Sequence, residues 1–203
     1  MKINNREKIL LCLIITIEAI FCFTTLGSIP VGPIVATLSM IPVIITTLTF
    51  GLIYGLIIGF MFGLFSFLVW TFFPPNPAMA FLFTPFYNSL GYNGNFGSLI
   101  ICFIPRILIP VSTFITYRLL INNKKISMFI ASFVGSFTNT ILVMFFILLF
   151  FGKEYEILTN QSIFKVILIT ICTNGIIEAI ISCLICPFVS NSLIRFIKNT
   201  YIN

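Results

Sequence analysis

The feature that most constrains this chain is a series of apolar runs, each about twenty residues long, set apart by short polar breaks. About 20 apolar helical residues cross the ~30 Å hydrocarbon core of a bilayer. Lipid offers no partner to a bare backbone amide, so such runs must fold as helices. Six runs of this kind stand at 9–27, 33–50, 51–72, 98–121, 126–151 and 163–190. The second and third are nearly continuous, and Gly51 is the natural corner between them. The expected fold is an all-α membrane protein with six transmembrane helices, one integral-membrane domain over residues 1–203. Composition agrees, since 59% of the residues are hydrophobic and 8% charged, against about 25% charged in soluble domains.

Orientation follows from the short loops, where Lys and Arg collect on the cytoplasmic side. Lys2, Arg6 and Lys8 precede the first run, Arg118, Lys124 and Lys125 flank the break after the fourth, and Arg195 and Lys198 follow the last. The breaks after the first and third runs carry neither Lys nor Arg. Both termini are therefore expected in the cytoplasm, and the long loop between helices three and four, 73–97, is expected to face outward. The basic N-terminus before an apolar stretch also resembles a signal peptide, but no small-residue cleavage pattern follows it, so it reads as a retained span.

The charge of +6 is spread over the ends of the runs rather than gathered on one face, which argues against nucleic acid as a partner. The chain has no histidine, which removes histidine-based acid–base chemistry and histidine metal ligation. Cys183 and Cys186 have C-x-x-C spacing without a second pair, and read as small apolar filler. No phosphate-binding glycine loop and no zincin or nucleophile-elbow motif is found. The expectation is a protein that is not an enzyme, without cofactor or metal, and without a motor of its own.

Inside the grease stand Glu18, Arg106, Asn139, Asn174 and Glu178. A charge at the bilayer centre costs about 2.5–3.5 kcal/mol on insertion scales, so these groups should face one another or a polar ligand. Thr170, Asn174, Glu178 and Ser182 recur every four residues and share a helix face, as do Ser132, Ser136 and Thr140. With a rise of 1.5 Å per residue, Arg106 lies roughly 12 Å and Asn174 roughly 16 Å below the outer surface, with Glu178 deeper. Arg106 and Asn174 can thus share a cavity opening outward, with Glu178 and Glu18 at its floor. An arginine fork suits a carboxylate, and an asparagine both donates and accepts. The competing reading is an internal salt bridge of Arg106 with Glu178 or Glu18. The outward loop sets aromatics such as Phe83 and Tyr92 among amides such as Asn95; they either cover a small ligand or anchor at the headgroups. The expected ligand-binding set is Arg106, Asn139, Asn174 and Glu178, with Asn95, Tyr92 and Phe83 from the loop.

Gly51, Gly55, Gly59 and Gly63 form a smooth stripe along the third run. Such a stripe lets another helix approach closely, either within the bundle or as a docking surface for a partner.

The stretch TTLGSIPVGPIVATLSMIPVIITTLTFGLIYGLIIGFMFGLFSF, followed in order by TPFY, GNFGSLIICFIPRIL, TNTILV and TNGIIEAI, resembles the substrate-binding (S) components of energy-coupling factor (ECF) vitamin transporters. The similarity covers nearly the whole chain and is strongest to the pantothenate-type subgroup. It implies a multi-pass subunit of a bacterial plasma membrane that captures a water-soluble vitamin, pantothenate first, from outside. It further implies delivery inward with a transmembrane transducer and two ATPases, and gives the glycine stripe a role in docking on the transducer. Related chains often carry His where Met40 stands and Trp where Gly97 stands, and Ala19 is the only alanine of the first span, where many S components have an alanine motif. The alternatives are an S component for folate, riboflavin or cobalamin, a structural or assembly subunit held by an internal salt bridge, and an intramembrane enzyme with Glu18 and Glu178 as paired acids.

Overall fold

The computed structural model describes residues 5–24, 27–31, 34–89, 91–121 and 123–202. Helices dominate, in the order α1 (Asn5–Phe23), α2 (Ile41–Phe50), α3 (Leu52–Phe72), α4 (Phe96–Leu119), α5 (Lys124–Thr159), α6 (Ile163–Thr170) and α7 (Ile176–Ile202). Two short antiparallel hairpins join them, β1 (Ser28–Val31) with β2 (Ile34–Thr37), and β3 (Asn88–Ser89) with β4 (Tyr92–Asn93). Among the described residues, four stretches are long and apolar enough to cross a membrane: Leu52–Phe72, Phe96–Leu119, Lys124–Leu158 and Ile163–Lys198.

The run at 33–50 departs from its expected single span. Its first part pairs as a strand, Val31 facing Ile34 and Ser28 facing Thr37, and the helix starts only at Ile41. Apolar β-branched residues suit a strand as well as a helix, so Ile34, Val35 and Thr37 carry no periodicity that separates the two. Pro42 then opens α2 in the first turn, where its missing N–H leaves nothing unsatisfied. At 10 residues, α2 is only about 15 Å long. Gly51 does make the corner, closing α2 and starting α3 with φ 93°, a backbone region that an L side chain rarely adopts.

The remaining stretch of glycines is spent inside the bundle. A Cβ on Gly55 would collide with Thr47 Oγ1, one on Gly59 would sit 2.7 Å from the backbone oxygen of Arg106, and one on Gly63 2.9 Å from the Phe103 ring. Gly55, Gly59 and Gly63 are therefore covered by α4 and α2, the close approach within the bundle that the stripe allows. Gly51 alone of the four has open space around it.

The approach of α3 to α4 also explains two helix-interior prolines. Pro105 and Pro110 have no N–H to give to the carbonyls of Ile101 and Arg106, four residues earlier. Gly59 packs against the second of these carbonyls. The first is taken by a side chain, described below.

Two apolar clusters fill the molecule. One gathers Met40, Val43, Ile44, Ile58, Phe62 and Ile109 around α2. The other joins Phe81 and Leu82 of the 73–97 loop to Ile101, Ile147, Phe151 and Tyr155. That loop is thus packed rather than loose. Asn76 caps a 3-10 turn over Pro77–Leu82, and Ser98 Oγ donates to Phe81 O at 2.7 Å, pinning the turn to the start of α4. Its aromatics divide: Phe81 is buried, whereas Phe86 and Phe96 are about three-quarters exposed (78% and 74%).

Candidate functional site

A cavity of ≈ 100 Å³ lies between the two apolar clusters. At roughly 10–15 Å³ of such space per water, it has room for several water-sized groups. Its apolar wall includes Phe62, Val69, Trp70, Leu82, Phe83 and Met144. Its polar wall includes Arg106 from α4, Asn139 and Thr140 from α5, Asn174 from the turn between α6 and α7, Glu178 from α7, and Thr37 from β2.

Arg106 is positioned by the proline before it. Pro105 leaves Ile101 O without a backbone donor, and Arg106 Nη1 donates to that oxygen at 2.8 Å. The guanidinium also lies 5.4 Å from the Phe62 ring centre and 5.7 Å from that of Phe83, a cation–π arrangement. Phe83 in turn stacks on Trp70 at 4.5 Å. Arg106 Nε has no hydrogen-bond partner although the residue is only 4% exposed.

Asn139 and Asn174 are also buried, and Asn139 Oδ1 and Asn174 Nδ2 have no partner. Asn174 stands in a π turn, Ile171–Gly175, between α6 and α7. Such turns re-aim side chains and recur at functional sites. A buried unpaired polar group costs about 1–3 kcal/mol; here two donors, Arg106 Nε and Asn174 Nδ2, and one acceptor, Asn139 Oδ1, belong to residues lining the same cavity.

Glu178 is already engaged. Its Oε1 accepts from the Thr37 backbone N–H at 2.5 Å and its Oε2 from Thr140 Oγ1 at 2.8 Å. Glu18 is fully buried, accepts a bond from Cys22 Sγ, and has an unpartnered Oε2. It does not line the cavity, although Cys22 does. Among the described residues no ion pair joins Arg106 to either glutamate, so the internal salt bridge weighed from the sequence is not formed.

Of the residues singled out in the sequence, Arg106, Asn139, Asn174, Glu178 and Phe83 come together on this cavity. Asn95 and Tyr92 do not line it. Asn95 instead caps α4 in a reciprocal capping box with Ser98, and the Tyr92 ring lies 6.0 Å from Phe81. Met40 and Gly97 do not line it either: Met40 is in the core, and a Cβ on Gly97 would meet the Phe150 ring at 2.6 Å. Sequence reasoning passed over Thr37, Trp70 and Tyr155, which do line it. The single tryptophan was the one available signal.

The fold and this site together define a helical multi-pass membrane protein with an internal cavity whose apolar wall carries a few unpaired polar groups. The chain matches the family described as ECF transporter, substrate-specific component, over residues 9–190. It is also 33% identical, over 158 residues, to the pantothenic acid transporter PanT of Lactococcus lactis subsp. cremoris (strain MG1363), covering 73% of this chain and 79% of that protein. The chain belongs to the family of ECF-transporter substrate-specific components, which are parts of transporters and not enzymes.

Proposed function

We propose that this chain is the vitamin-binding subunit of an ECF importer in a bacterial plasma membrane, and that its ligand is pantothenate. The observation that carries this reading is the convergence of Arg106, Asn139 and Asn174 on one cavity, each with an unpartnered buried polar atom. Pantothenate is an anion with an amide and hydroxyls. Arg106 pairs with its carboxylate through a charge-assisted bond. Asn174 Nδ2 donates to, and Asn139 Oδ1 accepts from, its polar middle, while Phe62, Trp70 and Phe83 pack on its apolar part. The similarity to a pantothenic acid transporter supports the same ligand.

In this reading the chain crosses the membrane six times with both termini in the cytoplasm, α2 serving as a short second helix. The cavity then opens outward beneath the 73–97 loop. A transmembrane transducer and two ATPases supply the motor that the chain lacks. A purely structural subunit is disfavoured, because Arg106, Asn139 and Asn174 each keep an unpartnered polar atom instead of closing on one another.

The test is equilibrium binding of radiolabelled pantothenate to the detergent-solubilised chain alone. Saturable one-to-one binding without ATP or partners, uncompeted by folate, riboflavin or cobalamin, is expected. No saturable binding, or displacement by another vitamin at lower concentration, refutes the assignment.

A further inference from the structure

The sequence placed Glu178 among the ligand contacts, but the geometry points to a different role: we propose that Glu178 is a positioning residue that builds the cavity wall. The proposal rests on the binding reading above only for what the wall is for. Each carboxylate oxygen already accepts a bond from the wall itself, Oε1 from the Thr37 N–H and Oε2 from Thr140 Oγ1. The two donors lie 141 and 38 residues away along the chain. One carboxylate therefore fastens the end of β2 to both α5 and α7.

Among the described residues, no other polar contact holds Thr37 to the helices. Its strand is paired to β1, and the hairpin's base is closed by Leu38 N–H and Ser39 Oγ, both donating to Gly27 O. Those bonds keep the hairpin together without tying it to α5 or α7. Glu178 provides that tie, at 3% exposure, where a charge-assisted bond meets little competition from water. The arrangement also accounts for a carboxylate in a cavity that takes an anion: its lone pairs are turned to wall donors, and the ligand meets Arg106, Asn139 and Asn174 instead.

The experiment measures hydrogen exchange of the peptide containing Thr37 in the ligand-free protein, and pantothenate association and dissociation by stopped-flow Trp70 fluorescence. Glu178→Met, similar in size, offers neither oxygen to the two donors. It should speed exchange at Thr37 about tenfold or more, the equivalent of one net hydrogen bond, and raise both association and dissociation rates. Glu178→Gln keeps an acceptor for the Thr37 N–H and an amide that donates to the Thr140 hydroxyl, so it should stay close to wild type. Thr140→Val should share the effect of Glu178→Met on the wall in milder form, and Thr140→Ser, which keeps the hydroxyl, should restore wild-type behaviour. Unchanged exchange at Thr37 in folded Glu178→Met overturns the proposal, as does weaker binding that comes from dissociation alone with exchange unaltered. If Glu178→Met does not fold, the Thr140 pair decides: equal exchange in the valine and serine variants refutes the tie. The exchange measurement needs no ligand, so it stands even if pantothenate proves to be the wrong vitamin.

Discussion

Replacing Arg106 with glutamine separates binding from stability. In the folded protein Arg106 is only 4% exposed, has an unpartnered Nε and makes no direct ion pair, although Glu178 lines the same cavity. Truncating one member of a buried, hydrogen-bonded charge pair costs about 2–5 kcal/mol. At about 1.4 kcal/mol per tenfold, pantothenate affinity should fall on the order of 30- to several-thousand-fold. The effect on folding is different. Losing the bond to Ile101 O costs about 1–3 kcal/mol, and losing the contacts with Phe62 and Phe83 about 0.5–2 kcal/mol. Removing a buried cation that makes no direct ion pair returns part of its desolvation cost, which is several kcal/mol per buried ion. These contributions oppose one another, so the ligand-free Arg106→Gln protein should melt near the wild-type temperature, or above it. Trp70, the only tryptophan, lines the cavity and stacks on Phe83, so its fluorescence reads occupancy directly. An affinity within about threefold of wild type would refute the reasoning that Arg106 receives the anion.

Asn174→Asp should weaken pantothenate binding by at least about tenfold, because like charges brought together in a buried site cost several kcal/mol; the same fluorescence titration measures it. Pro105→Ala gives Ile101 O a backbone donor again, so the acceptor that anchors Arg106 is shared. Affinity should drop several-fold, corresponding to about 1 kcal/mol, while thermal unfolding in detergent shows no loss of stability. Gly59→Ala places a Cβ 2.7 Å from a backbone oxygen of α4 and should destabilise the protein by about 1–3 kcal/mol. Gly152→Ala, whose new Cβ meets nothing nearer than 3.7 Å, should be neutral or stabilise by up to about 1 kcal/mol; parallel melts compare the pair.

Much of the architecture was legible because lipid tolerates so few solutions. The corner at Gly51 and the third, fourth, fifth and last spans fell close to their expected places, since long apolar runs must be helical. Arg106, Asn139 and Asn174 stood out for the same reason, a polar group in grease needing company. Three features were not legible. Ile34–Thr37 is mostly β-branched, and only its pairing with Ser28–Val31 decides for strand over helix. The glycine stripe announces a close approach but not by what; α4 proves to be the neighbour, and the prolines at 105 and 110 were the unread half of that contact. The salt bridge looked plausible because two acids and one base share the hydrophobic interior. A backbone amide from a distant hairpin, which no periodicity reveals, engages Glu178 instead. Thr37, Trp70 and Tyr155 reach the cavity from β2, α3 and the C-terminal end of α5, a meeting set by tertiary packing alone.

The cavity lined by Arg106, Asn139 and Asn174 should select one vitamin. Native mass spectrometry of the purified chain, presented with an equimolar panel of pantothenate, folate, riboflavin and cobalamin, tests it most directly. A single adduct with the mass of pantothenate at one-to-one stoichiometry, lost in Arg106→Gln, is the expected result. A chain that stays empty, or that retains a different vitamin, would contradict it.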